Sequence, residues 1–422
     1  MSTKVIYPRV LVFGEGFRDV SGPGLTLTSL FQGWPRDKIV DVHSSTNRND
    51  QVTETHLYLP SRGITSVWKR RSSKKSNNGT DINTKDKNAS FTPSDIKQLL
   101  RMQLLGRVFW HRAGTSQIIH RIKEFNPEIL YVQPSMGLSS AILKLHNILG
   151  KIPMVVHIMD DWPGMWSDSP SFKDRLLFKH EHYSFKHILK RAHARMAICP
   201  AMADEYKIRY GYNFSSYQRL VQRPERTLLS ETRKSSVKLL YVGRIGIAVS
   251  KTLVHIAEAV RNMKLKGVNI DLSIISAQTE TAVSIGLGDY VDRNGPYPSS
   301  EISAIIDSAD ILLIPLDFSP ESLRFAKLSM PSKVPEYLCS GVPCIVIAPK
   351  ETALARYAIE EGWAIVVTDD KISEIEKAIL TLISSSKKQA KLINAASMTY
   401  ESDYNVEKNR SSFQKIICEA IE

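Results

Sequence analysis

A lysine, a glutamate and a helix start share one short segment of this 422-residue chain. Ser329 to Pro343 reads SMPSKVPEYLCSGVP and runs straight into the apolar stretch Cys344–Ile347. The pattern predicts a turn feeding a short helix, whose unpaired backbone N–H groups favour an anion. Ser332 and Lys333 stand at that end, and Glu336 follows one turn on along the same face. A carboxylate there is set to accept both hydroxyls of a ribose whose phosphates rest on the helix end; the plainer alternative is that Glu336 caps its own helix. Upstream, the run Leu239–Val242 ends in Gly243-Arg244, and Lys251 opens the next helical stretch. An Arg at a strand end and a Lys at a helix start converge on the carboxyl edge of a sheet, where open α/β sheets bind ligands. Two fixed cations there would stabilise charge building on a departing diphosphate. Solvated surface charge is the competing reading.

Taken together these segments resemble a known family. Tyr241-Val242-Gly243-Arg244 with Lys251 comes first. Asn294-Gly295-Pro296 with Ala309 to Leu316 follows, and Pro331-Ser332-Lys333 with Glu336-Tyr337-Leu338 and Gly341-Val342-Pro343 closes the set. The order and spacing are similar to the donor-binding half of family four glycosyltransferases. That resemblance implies the GT-B fold: two Rossmann-like domains facing across a cleft, with a C-terminal helix crossing back to the first. It implies that Arg244 and Lys251 bind the diphosphate of a nucleotide-sugar donor, that Glu336 holds the ribose, and that the backbone around Gly243, Ser332 and Lys333 meets the phosphates. It also implies retention of anomeric configuration, with no cofactor and no bound metal. The departures matter too. Leu328 stands where many members carry a second Glu eight residues before the ribose-binding one, so recognition of the sugar ring must differ.

The first half carries weaker signals. Gly14-Glu15-Gly16 and Ser21-Gly22-Pro23-Gly24 follow the first strand and open a helix. Alone, such a turn suits dinucleotide binding as well. The resemblance sets this loop, with Gly22 and Gly24, toward the diphosphate and the acceptor. Val155 to Pro163, VVHIMDDWP, is similar to a strand-end segment in which a His and an Asp face the acceptor, here His157 with Asp160 or Asp161. A satisfied core histidine is the equal alternative for His157.

The elements that must position these residues alternate between apolar runs and helical periods, the mark of parallel βαβ units. Strands are expected at Val10–Phe13, His56–Leu59, Ile129–Val132, Met154–Ile158, Met196–Cys199 and Leu220–Gln222, then at Leu239–Val242, Leu272–Ile275, Ile311–Ile314, Cys344–Ile347 and Ala364–Val367. The polar stretch Pro224–Ser236 has linker composition. The expected division is therefore a domain over 1–225, a nucleotide-sugar-binding domain over 237–400, and a final helix within 401–422 that Ser402–Ile421 supplies. Lys69–Asn88 holds a single apolar residue, Ile82, and reads as a disordered insertion. After it, Thr92 and Pro93 start an amphipathic basic helix that ends near His111.

Composition bounds the rest. With 42% hydrophobic residues the chain can bury two cores, while no apolar run approaches the roughly 18–20 residues of a membrane span. The N-terminus reads without a signal peptide, and Cys199, Cys339, Cys344 and Cys418 lack metal or disulfide spacing, which suits a reducing cytoplasm. The net charge is +13. Fourteen Lys and Arg against four acids put +10 between Ser61 and Phe125, a surface for phosphates or anionic lipid, or a solvated loop with no partner. The implied partners are a nucleotide-sugar donor, a glycan or lipid-linked acceptor and an anionic membrane surface at residues 61–125, and not nucleic acid. The implied setting is surface-glycan or glycoconjugate synthesis at the inner face of the cell membrane. Two rival readings share the architecture, a nucleotide-sugar 2-epimerase and a catalytically silent nucleotide-sugar-binding protein. A nicotinamide-dependent enzyme is disfavoured, because Asp41 lies too far beyond the first glycine turn to close that fingerprint.

Overall fold

The computed structural model of the chain describes residues 7–18, 22–43, 49–59, 113–166, 172–223, 236–295, 297 and 299–421. The basic insertion 69–88, the helix expected over 94–111, most of the basic stretch 61–125, the linker 224–235, Ser21 and Pro296 lie outside them.

The chain forms two compact α/β units. One comprises Met1–Ala197, Tyr206–Ser215 and Phe413–Glu422, the other Ile198–Glu205 and Ser216–Ser412. The change between them after Tyr210 falls at Ser215/Ser216.

In the first unit, β1 (Val10–Phe13), β2 (Ile39–His43), β3 (Thr55–Tyr58), β4 (Ile129–Val132), β5 (Met154–Ile158), β6 (Ala194–Ala197) and β7 (Ser215–Ser216) form a sheet ordered β3-β2-β1-β4-β5-β6-β7. The paired registers from β3 to β6 are all parallel. Its middle strands VLVF, ILYV and MVVHI are buried residue by residue, as a parallel sheet covered on both faces requires. Phe31 is a hub of this core. Its ring meets Phe17, Trp34, Tyr131 and Phe413 edge-on at centroid distances of 5.6, 5.6, 5.2 and 5.1 Å.

In the second unit, β8 (Val237–Val242), β9 (Ile270–Ile275), β10 (Ile311–Pro315), β11 (Cys344–Ile347) and β12 (Ala364–Val367) are ordered β12-β11-β10-β8-β9, again parallel. Leu239, Tyr241, Leu313, Ile345 and Ile347 pack against Leu253, Ile256 and Val260 of the helix Ser250–Leu265 and against Ile375 and Ile379 of the helix Ile372–Ile383.

Two expectations need correction. The stretch around Asp41 is a full strand, β2, although its polar Asp41 and His43 hide the apolar run. Leu220–Gln222 lies outside any strand. The helix expected over Ser402–Ile421 is present as Val406–Glu419, while Ser402 and Asp403 belong to the helix before it. Ser386–Asp403 ends at Tyr404, and Val406–Glu419 begins after Asn405, whose Oδ1 accepts the Lys408 N–H at 2.9 Å. That Asn cap halts one helix and starts the next.

Candidate functional site

In the second unit the chain leaves β8 for β9 on one side and returns to β10 on the other. This makes the carboxyl ends of β8 and β10 the topological switch point, where α/β sheets open a crevice. Gly243 and Arg244 follow β8, and Leu316 and Asp317 follow β10. Buried Asp317 accepts the Thr252 N–H at 2.8 Å, and the Thr252 hydroxyl donates to the Leu316 carbonyl at 2.9 Å. These bonds fix the start of helix Ser250–Leu265, the second residue of which is Lys251. The β8 exit is tied down as well. The Tyr241 hydroxyl donates to the Arg244 carbonyl at 2.6 Å, the Tyr337 hydroxyl accepts the Val242 N–H at 3.2 Å, and Gln278 Oε1 accepts the Ile245 N–H at 3.2 Å. Arg244 and Lys251 are exposed, and neither forms an ion pair among the described residues.

Lys333 reaches this exit from the segment ahead of helix Val334–Cys339. Its Nζ lies 3.9 Å from the centroid of the Tyr241 ring. A Cβ placed on Gly243 would come within 2.5 Å of that Nζ and 2.9 Å of the Tyr241 hydroxyl, so only glycine leaves room for the lysine. Burial pushes the Lys333 ammonium down to about 7, against a smaller upward pull from Glu336. Glu336 sits in the first turn of the helix, 9% exposed, and its Oε2 meets Arg219 Nη1 at 3.2 Å. Ser332 lies partly exposed one residue before Lys333.

The first unit has its own switch point, between β1 and β4. Here Gly14 packs on Gln133, whose Oε1 accepts the Glu15 N–H at 2.9 Å. Gly22 and Gly24 fall in the first turn of helix Gly22–Phe31, where Gly24 is buried. His157 has no exposed surface, and its Nδ1 lies 2.6 Å from the Tyr131 hydroxyl. That is the setting of a core histidine. Asp160 is exposed. Asp161 is 4% exposed and engaged on several sides. Its carboxylate takes the Tyr206 hydroxyl at 2.9 Å, Arg209 Nη1 at 2.9 and 3.0 Å, and the Gly164 N–H at 3.2 Å. These contacts tie the helix Trp162–Trp166 to the helix Pro200–Tyr210.

Residues 236–385 match the family model described as glycosyl transferases group 1. The second unit thus holds a domain similar to the group 1 glycosyl transferases. Solved structures extend the likeness to both units. The galactosyltransferase WaaB of the lipopolysaccharide outer core, in its apo form, aligns at TM-score 0.53 and 14% identity over 98% of each chain. Sucrose-phosphate synthase from Thermosynechococcus elongatus aligns at 0.65 and 11% over 97% of this chain and 98% of its own. Anabaena HepE in complex with UDP aligns at 0.60 and 11% over 97% and 100%. At such identities the likeness is one of fold, the two-unit GT-B fold. Among curated proteins no sequence relative matches.

Within the group 1-like domain, the structure brings Gly243, Tyr241 and Lys333 into contact and leaves Arg244 and Lys251 exposed on the elements flanking Gly243. Glu336 is joined by a residue that lies outside the matched segment, Arg219. Nothing in the sequence marks Arg219, because its partner is 117 positions away. The sequence there suggests a strand, Leu220–Gln222, and then linker from Pro224, and neither singles out a partner for Glu336.

Proposed function

We propose that the protein transfers a sugar from a nucleotide-sugar donor to a glycan or lipid-linked acceptor, with retention of configuration and without a metal at the leaving group. The observation that carries this reading is the second unit's switch-point crevice, where Gly243 gives way to Lys333 beside two uncommitted cations, Arg244 and Lys251. In this reading the diphosphate rests near Gly243, Ser332 and Lys333, and Glu336 accepts the ribose hydroxyls. Arg244 and Lys251 then neutralise charge that grows on the departing diphosphate. Exposed side chains suit that task, since they close on the phosphates only when donor is present. HepE was solved with UDP, which makes UDP-sugars the first donors to try. The first unit would receive the acceptor, with exposed Asp160 and the Gly22–Gly24 turn as the groups to probe. Among the described residues no helix is long and apolar enough to cross a membrane. In this reading a lipid-linked acceptor would be met from the membrane surface.

The test is transfer activity with a panel of UDP-, GDP- and dTDP-sugars, preceded by thermal stabilisation with each nucleotide. Arg244→Ala and Lys251→Ala are expected to lower kcat by at least tenfold each, about 1.4 kcal/mol of transition-state stabilisation. Glu336→Ala is expected to raise the donor KM by roughly 30- to 150-fold, from about 2–3 kcal/mol of charged hydrogen bonds. Normal turnover in both cation variants would overturn the leaving-group assignment. Conversion of donor without any acceptor would make the protein a 2-epimerase.

A further inference from the structure

We infer that Asp41, His43 and His56 form a binding site for one divalent transition metal of the zinc class, in the first unit and outside the group 1-like domain. Asp41 and His43 are two apart on β2, and strand geometry puts them on one face. Asp41 pairs in register with His56 on the neighbouring β3, which adds the third side chain to the same face. All three are buried, at 0%, 1% and 8% exposure. Their ligand atoms lie within 4.8 Å of one another. His56 Nδ1 is 3.2 Å from Asp41 Oδ2, and His43 Nε2 is 3.5 Å from the same oxygen. Metal bonds of about 2.0–2.2 Å in a tetrahedron give ligand-to-ligand edges of roughly 3.3–3.6 Å, close to these spacings.

A second, independent observation is what the cluster leaves unsatisfied. Neither ring nitrogen of His43 nor Asp41 Oδ1 has a hydrogen-bond partner among the described residues. Buried polar atoms without partners are costly and uncommon, and here three of them fall on two neighbouring side chains. A cation would engage His43 Nε2, and Asp41 keeps Oδ1 as a further oxygen donor. Behind His56, Asp50 Oδ1 lies 3.3 Å from Nε2, the carboxylate-behind-histidine arrangement that orients an imidazole ligand. The Phe17 N–H donates to Asp41 Oδ2 at 3.0 Å. Gly16, at φ +74°, covers the cluster so closely that a Cβ would come 2.8 Å from His43 and 2.9 Å from Asp41. Two imidazoles and a carboxylate under a glycine turn select a late first-row ion over calcium or magnesium. The ion's role would be to fasten β2, β3 and the turn after β1.

The experiment uses the full chain, stripped with a chelator, and Zn²⁺ or Co²⁺ alone as probes. The expected result is uptake of a single equivalent of Zn²⁺ at micromolar protein, a raised Tm, and a visible Co²⁺ spectrum of nitrogen and oxygen ligation. His43→Gln and Asp41→Asn should abolish uptake, and Asp50→Asn should weaken it by about 10–100-fold. Where a variant fails to fold, the native protein decides. No stoichiometric uptake and no Tm shift would overturn the site and leave a hydrogen-bonded triad. Unchanged uptake in a folded His43→Gln protein would overturn it as well. Neither result bears on the donor reading, which transfer assays test separately.

Discussion

Lys333 is a lysine whose charge is conditional. Burial holds its ammonium at about 7, against 10.5 for an ordinary lysine, so above neutral pH the crevice is mostly without that charge. A diphosphate placed beside it would pull the proton back on. Nucleotide binding is therefore expected to take up close to one proton per molecule between about pH 8 and 9, and much less near pH 6, where the lysine is already charged. Calorimetry in buffers of different ionisation enthalpy reads this directly; uptake that is absent at every pH would separate Lys333 from the phosphates. The same depression bears on folding. The unfolded chain binds the extra proton between about 7 and 10.5, so this residue's contribution to stability improves as pH rises through that window. Lys333→Met should accordingly raise the Tm most at low pH, with the gain fading toward pH 10. Of this residue-scale picture, Lys333 and Glu336 are legible from their place ahead of and within a short helix. The lysine's perch over Tyr241 is not, because it depends on a glycine 90 positions away leaving a gap.

At the scale of elements, the apolar strands VLVF, ILYV and CIVI declare themselves, since a strand buried on both faces has little room for polar residues. β2 does not, because Asp41 and His43 interrupt its pattern with groups whose purpose is local. The Asp161 cluster belongs here too. It joins the helix Trp162–Trp166 to Tyr206 and Arg209, both of which return to the first unit from the far end of helix Pro200–Tyr210. Removing a buried carboxylate that serves an arginine and a tyrosine strands both partners. Asp161→Ala should destabilise the first unit by about 3–5 kcal/mol, read as a fall in the urea midpoint, with nucleotide affinity of the folded protein unchanged. A stable variant that binds donor but fails only in acceptor KM would assign Asp161 to the acceptor site. The sequence presents His157, Asp160 and Asp161 as equals, for a strand end does not reveal which side chains turn inward.

Across the whole molecule the charge is lopsided, and the +10 between residues 61 and 125 is its main source. If the acceptor is lipid-linked, that stretch holds the protein to an anionic bilayer, each Lys or Arg near the surface adding about 1 kcal/mol. Co-sedimentation should then need anionic lipid, weaken with salt, and fall when the five basic residues between 69 and 75 are neutralised. Sedimentation indifferent to lipid charge would point to a soluble acceptor. The division into two α/β units was readable from the alternation of strands and helices. The assignment of Ile198–Glu205 to the second unit was not, whereas the family resemblance does imply the chain's return to the first unit, which begins at Phe413. The packing of Phe413 on Phe31 and Tyr131 has a consequence for synthesis. The first unit's aromatic hub leaves the ribosome early, yet its last wall, residues 413–422, follows Ser215 by nearly the whole length of the second unit. At translation speeds of about 5–20 residues per second the hub waits roughly 10–40 s for it. Over that interval the second unit can complete its own core, and the nascent first unit offers chaperones an open aromatic face.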